Sequence, residues 1–225
     1  ASLNGKLFLA FDSTVDRLHV YDPGLATPRV RRVGFATPTL PTVANGGGAG
    51  AYPATTRYYR VRWLHMSGLT VVRRSEPGAV SAPFTPSGAD TNATITQPAV
   101  PGEGETHWEI EASTDGNTGF VAHQSQLRSS TQIAIATTTY ADTTLTSAYT
   151  SYPATDTAGL HARFPSVKYL ITDGNRLLGT GAWETAGADS GGRNSRIWIT
   201  PVLGSADKGD DERSMNTTTQ KNFVD

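Results

Sequence analysis

Arg57-Tyr58-Tyr59-Arg60-Val61-Arg62-Trp63-Leu64 is the stretch on which the fold turns. Tyr59, Val61 and Trp63 alternate with Tyr58, Arg60 and Arg62. Successive side chains of a strand point to opposite faces, so this order gives one apolar face and one basic face with a single Tyr. The pattern predicts a strand whose Val61 and Trp63 enter a core. Working outward, strand patterns recur near Leu69–Arg73, Thr91–Gln97, His107–Ala112, Gly119–His123 and Thr131–Ala136, with Asp115-Gly116-Asn117 as a turn. Six or seven short strands in about 100 residues, with turn signals between them, predict an immunoglobulin-like sandwich.

On either side the pattern changes. Upstream, Lys6–Phe11 reads as a strand and Arg17–Tyr21 as its partner, with Asp22-Pro23-Gly24 as the closing turn. Thr37-Pro38-Thr39-Leu40-Pro41 and the run Gly46–Gly50 read as a boundary and a flexible loop. Downstream, Tyr169-Leu170-Ile171, Arg176–Gly179 and Arg196–Thr200 read as strands, Asp173-Gly174-Asn175 as a turn, and the polar tail from Ser205 as loop. Both ends therefore run turn, strand, loop, strand, with Arg opening the second strand. Hairpins of this kind build propeller blades. The expected organisation is all-β: residues 1–36 and 152–225 form a flanking, partly propeller-like region, and residues 37–151 form a sandwich inserted between its halves.

Composition agrees with many short strands. The 225 residues include 23 Gly and 13 Pro, which supply turns, and the chain is rich in Thr, which suits half-exposed pleats. A formal net charge of -1 with 17% charged residues offers no global attraction to nucleic acid or acidic lipid. There is no Cys, so thiolate metal sites and disulfides are excluded, and assembly inside a cell is favoured over a disulfide-stapled secreted domain. No apolar run approaches the roughly 20 residues that span a bilayer. Ala1–Gly5 has no signal-peptide pattern and runs at once into a strand, so the N-terminus is read as trimmed or fragmentary.

Tyr58-Tyr59-Arg60-Val61-Arg62-Trp63, then Gly68 and Arg74-Ser75-Glu76-Pro77-Gly78, resembles a fibronectin type III domain, with an aromatic strand followed by a Ser-Glu-Pro-type turn. His107-Trp108-Glu109-Ile110-Glu111, Thr114-Asp115-Gly116 and Thr139-Tyr140-Ala141-Asp142 are similar to such domains in virion proteins of tailed phages. The flanks Arg17–Asp22 with Arg32-Val33-Gly34, and Asp173–Leu177, resemble the propeller-type hairpins of those proteins. A propeller needs at least four blades of about four strands, and this chain supplies one or two. The resemblance carries no catalytic residues. It implies a virion location, in tail or neck, and partners that are copies of the chain and other virion proteins.

Other constellations weigh less. Ala188-Asp189-Ser190-Gly191-Gly192 stands one letter from a serine-protease signature, but His123 to Ser190 is far too short for that family's two barrels, so a hairpin tip is the better reading. The five His residues show no metal-binding spacing, and His107 with Glu109 reads as a strand surface. Asp207, Asp210, Asp211 and Glu212 lack calcium-loop spacing. Gly46-Gly47-Gly48 has no following Gly-Lys-Ser/Thr to cradle phosphate. Arg57, Arg60, Arg62, Arg73 and Arg74 around Tyr58 would suit single-stranded nucleic acid, but a solvent-facing strand side paired with Glu105, Glu109 and Glu111 is preferred. Trp63 and Trp108 read as core, which leaves Trp183 in a Gly-rich loop as the candidate surface contact, with a sugar as its ligand.

The sequence thus points to a structural component of a tailed phage particle that works by subunit assembly, without catalytic residues, metal or cofactor, membrane contact or specific nucleic-acid binding. The alternative is a carbohydrate-binding or adhesive β-module of a secreted bacterial protein.

Overall fold

The computed structural model describes residues 1–3, 5–12, 15–24, 29–48, 50, 52, 54–87, 91–114, 118–122, 132–145, 147, 161, 164, 166–174, 176–182, 196–200 and 221–222. Among them there is no α-helix, and the class is all-β with antiparallel sheets. The chain divides into two compact units, residues 1–35 with 158–225, and residues 36–157.

The flanking unit opens with β1 (Ser2–Leu3), β2 (Lys6–Leu9), β3 (His19–Tyr21) and β4 (Val30–Arg32), which form one sheet in sequential order. The inserted unit holds β5 (Thr42–Asn45), β6 (Tyr58–Ser67), β7 (Thr70–Arg74), β8 (Ala93–Thr96), β9 (His107–Ser113), β10 (Val121–Ala122), β11 (Ile133–Ala134) and β12 (Thr139–Asp142). One of its sheets runs β10-β9-β6-β7, with β11 also on β9, and the other runs β12-β8-β5. The flanking unit then resumes with β13 (Val167–Asp173), β14 (Arg176–Ala182), β15 (Arg196–Ile199) and β16 (Lys221–Asn222), again in sequential order.

β6 and β9 pair in the register Tyr59↔Ala112, Val61↔Ile110 and Trp63↔Trp108. All six side chains lie on one face, and all are 0% exposed. The strand phase read from residues 57–64 is the one observed. Ile95 of β8 is buried likewise, and the Trp108 indole N–H donates to Thr137 O across 2.8 Å.

Beyond β7 the chain keeps to the edge of β6 without forming a regular strand. Trp63 N–H donates to Ser75 Oγ and Tyr59 N–H to Ser81 Oγ, at 2.9 and 3.0 Å. Each hydroxyl in turn donates a hydrogen bond to the carbonyl of the next residue, Glu76 or Ala82. Pro77 and Pro83 follow those residues. Proline offers no N–H and drives its predecessor into an extended conformation. Two Ser-x-Pro steps six residues apart thus stand in for a ladder. Ser75, Gly78 and Ser81 still donate their own N–H groups to Trp63, Val61 and Tyr59 carbonyls.

In the flanking unit, Leu3, Phe8, Leu18, Val20 and Val33 share one buried core with Phe164, Val167, Leu177 and Trp198. The inner faces of its two four-stranded sheets are therefore buried together. Gly179 matters to the fit, because a Cβ there would sit 2.8 Å from both Phe164 and Val167.

Several short strands fall where the sequence predicts none. β5 lies between the expected boundary at 37–41 and the expected flexible loop at 46–50, where no strand is predicted, and β16 lies in the tail expected to be loop. Thr42 and Val43 pair with Thr96 and Ile95, so β5 exists through a partner some fifty positions away.

Candidate functional site

The five Arg residues singled out by sequence do not form a solvent-facing basic strip. Arg57, Arg62 and Arg73 are 0%, 1% and 5% exposed. Arg57 shares the parity of Tyr59 and Val61, so it enters the apolar side of β6. There its guanidinium lies 2.8 Å from Asp142 of β12, donates to Thr144 O at 2.6 Å, and stacks over the Tyr52 ring at 3.6 Å. Tyr59 Oη donates to the same Asp142 oxygen at 2.8 Å. Tyr52 Oη reaches Phe84 O at 3.3 Å, and burial pushes its phenol up to about 12, so it stays protonated. A buried ion pair persists only when its remaining donors and acceptors are satisfied, and this one has an aromatic face and a backbone carbonyl besides the carboxylate.

The opposite face of β6 and β9 carries a second ionic row. Arg60 and Arg62 both donate through Nε to Glu111, each at 2.5 Å, and Arg62 also donates to Ser75 O. Arg74 reaches Glu109 at 3.0 Å, and Arg60 stacks over Phe120 at 4.0 Å. The expected cross-strand pairing with Glu109 and Glu111 is present, but it is enclosed: Glu109 is 5% and Glu111 2% exposed. A polyanion has no path to Arg57 or Arg62. Arg57 links β6 to β12 of the other sheet, and Arg62 links β6 to β9 within its own.

Glu105, the third expected partner, does something else. Its Oε2 accepts the Glu103 N–H at 2.7 Å, while Oε1 is buried with no hydrogen-bond partner. Burial raises its carboxyl above the usual range; the backbone N–H groups of Glu105 and Glu103 work against that, the Glu103 charge adds to it, and Arg73 opposes it. Glu103 Oε2 accepts the Ala36 N–H at 2.7 Å, which ties the first residue of the inserted unit to this loop.

His107 is half-buried on β9, and burial lowers its pKa. Among the described residues no group of three His, Cys, Asp or Glu gathers where it could hold a metal ion. Trp183, His123, Ser190 and the acidic residues 207–212 lie outside the described residues.

Exposed large apolar side chains occur in both units, Leu40, Leu69, Val100 and Leu145 in the inserted one, but in the flanking unit some of them fall in cross-strand rows. On the first sheet, Ser2, Leu7, Tyr21 and Val30 form one cross-strand row, and Leu7 and Val30 are 43% and 46% exposed. On the last sheet the rows are Tyr169–Thr180–Ile197 and Ile171–Leu178–Ile199. Tyr169 and Ile171 are 68% and 65% exposed. These rows alternate with the core residues Phe8, Val20, Leu177 and Trp198, so each sheet carries apolar residues on its outer face too, beside His19 and Arg32 on the first sheet and with Lys221 in register with Ile197 on the last. Sequence reasoning quoted these strands but drew no surface from them, because a short apolar run does not reveal whether one face or two will be covered. No protein-family model matches the chain, and no curated protein matches it either.

Proposed function

We propose that the chain is a structural component of a tailed phage particle, in the tail or neck, that acts by subunit assembly and not by catalysis. The inserted unit is read as a fibronectin type III-like sandwich. Its five- and three-stranded antiparallel sheets, its paired buried Trp63 and Trp108, and the Arg57–Asp142 pair joining β6 to β12 support that reading. The flanking unit is read as two propeller-type blades. Each of its sheets is four-stranded, follows chain order and shares a core with the other.

The observation that carries the assembly reading is a pair of exposed apolar residues on each flanking sheet, Leu7 with Val30 on the first and Tyr169 with Ile171 on the last. Isolated exposed apolar residues are ordinary, but contiguous rows of them mark interaction surfaces. The phage setting rests on the resemblance of segments 107–111, 114–116 and 136–142, and of the hairpins, to phage virion proteins. Negative-stain electron microscopy of the purified chain tests the proposal. Symmetric particles with a fixed number of copies are the expected result. Single copies that bind glycan arrays would instead favour the adhesive alternative and sink the structural reading.

A further inference from the structure

We propose that Asn45 is a gated deamidation site: the fold holds the Asn45–Gly46 pair unreactive, and Asn45 converts to aspartate and isoaspartate when the end of β5 comes away from β8. The site is independent of the assembly reading.

The pair supplies the chemistry. A base takes the proton of the Gly46 N–H, and that nitrogen bonds to Cγ of Asn45. The side-chain nitrogen takes up a proton and leaves as ammonia. Water then opens the cyclic imide. Breaking its nitrogen–Cγ bond gives aspartate, and breaking its bond from nitrogen to the main-chain carbonyl carbon gives isoaspartate. Nothing is oxidised or reduced, and the balance is water in and ammonia out. Glycine favours the ring closure because no Cβ crowds its nitrogen.

Packing requires glycine at this position. A Cβ on Gly46 would lie 1.6 Å from Oδ1 of Asn92. Asn92 is 8% exposed, and its Nδ2 donates to Gly48 O at 3.3 Å. A larger residue at 46 has to displace that buried amide, so the fit against Asn92 keeps the labile pair in the chain.

The same neighbours close the reaction path. Asn45 is exposed, yet both ends of its amide are held. Nδ2 donates to Ser87 Oγ at 2.7 Å, and Oδ1 accepts the Ser87 N–H at 3.2 Å. The Gly46 N–H donates to Asn92 O at 3.2 Å. To react, the Gly46 nitrogen has to leave Asn92 and the Asn45 amide has to leave Ser87. Asn45 stands opposite Ala93 at the end of the β5–β8 ladder, and β5 is the edge strand of its sheet. Such an end opens locally at far less cost than the whole domain. Loss of ammonia makes the conversion one-way. Isoaspartate also routes the main chain through Cγ, which lengthens it by a carbon and takes Gly46 out of register with Asn92. The modified fraction therefore adds up the time that this strand end has spent open.

Peptide mapping by mass spectrometry, on the full chain held in mildly alkaline buffer, tests the proposal. Asn4–Gly5, the other Asn–Gly pair in the sequence, is the chemical standard when the chain is unfolded in guanidinium chloride. Unfolded, the two pairs should convert at similar rates. Folded, Asn45 should convert at least about tenfold more slowly than when unfolded, because opening has to come first. Ser87→Ala removes one anchor of the amide at an exposed position. It should raise the folded rate severalfold and leave the unfolded rate unchanged. Equal rates at Asn45 in the folded and unfolded chain would overturn the gate, and so would a folded Ser87→Ala rate equal to that of the natural sequence. No conversion at Asn45 in the unfolded chain would overturn the site itself.

Discussion

Arg57 and Asp142 lie 85 positions apart, and neither side chain is exposed. Removing one member of a buried pair strands the other charge, at a cost of about 3–5 kcal/mol. Asp142→Ala should therefore lower the unfolding free energy of the inserted unit by about that much in urea titrations, and Tyr59→Phe, which removes one hydrogen bond to a charged group, by about 1.5–3 kcal/mol. Equal and small effects would mean that the carboxylate is hydrated. Local pattern put Arg57 among surface basics because parity alone cannot say that an inward Arg will find a carboxylate so far along the chain. Asp142 was visible only as the end of a Thr-x-Tyr-x-Asp string. Glu105 supplies the opposite case. A carboxyl with a raised folded-state pKa contributes fully to stability below its unfolded value of about 4.3, and loses that contribution as pH rises through the folded value. At neutral pH its ionised form is a liability. Glu105→Gln should raise the unfolding midpoint at pH 7, and the gap should close towards about pH 4. A constant difference across that range would rule out ionisation as the cause.

Strands declare themselves in a sequence when one face is apolar and the run is long. β6, β9, β13 and β14, at 7 to 10 residues, were placed from alternation and flanking turns. β4, β5, β12 and β16, at 2 to 4 residues, were not. Shortness alone does not hide a strand, since β2, β3 and β15, at 3 to 4 residues, are legible from their apolar residues, whereas β4, β5, β12 and β16 carry few. The basic face of β6 shows another limit. Alternation gave its phase, but the enclosure of Arg62 and Glu111 depends on what lies over them. Packing within the last sheet is testable at one position. An extra methyl at Gly179 would press on Phe164 and Val167 at 2.8 Å. Overpacking of this kind costs about 1–3 kcal/mol, so Gly179→Ala should lower the melting temperature of the flanking unit in calorimetry. An unchanged or higher melting temperature would show that the Phe164 ring yields freely.

The largest structural fact is that residues near both ends of the chain complete one core. Trp198 is 2% exposed in the cluster that holds Phe8 and Val20. Truncating a buried Trp costs about 3–5 kcal/mol. Trp198→Ala should therefore accelerate amide exchange at Phe8 and Val20, far away in sequence, and spare Val61 and Ile110 in the inserted unit. Acceleration confined to β14 and β15 would show that the two sheets open independently. The same shared core has a consequence during synthesis. The first strands leave the ribosome well before Phe164, Val167, Leu177 and Trp198 exist to cover them. At about 5–20 residues per second, the roughly 130 residues between Val33 and Phe164 take on the order of ten to thirty seconds to translate. Throughout that interval Phe8, Leu18 and Val20 lack half of their enclosure, while the inserted unit is being made and is complete before Phe164 is added. β1–β4 are thus made before the inserted unit and completed after it, and for those seconds they are the natural target of a nascent-chain chaperone.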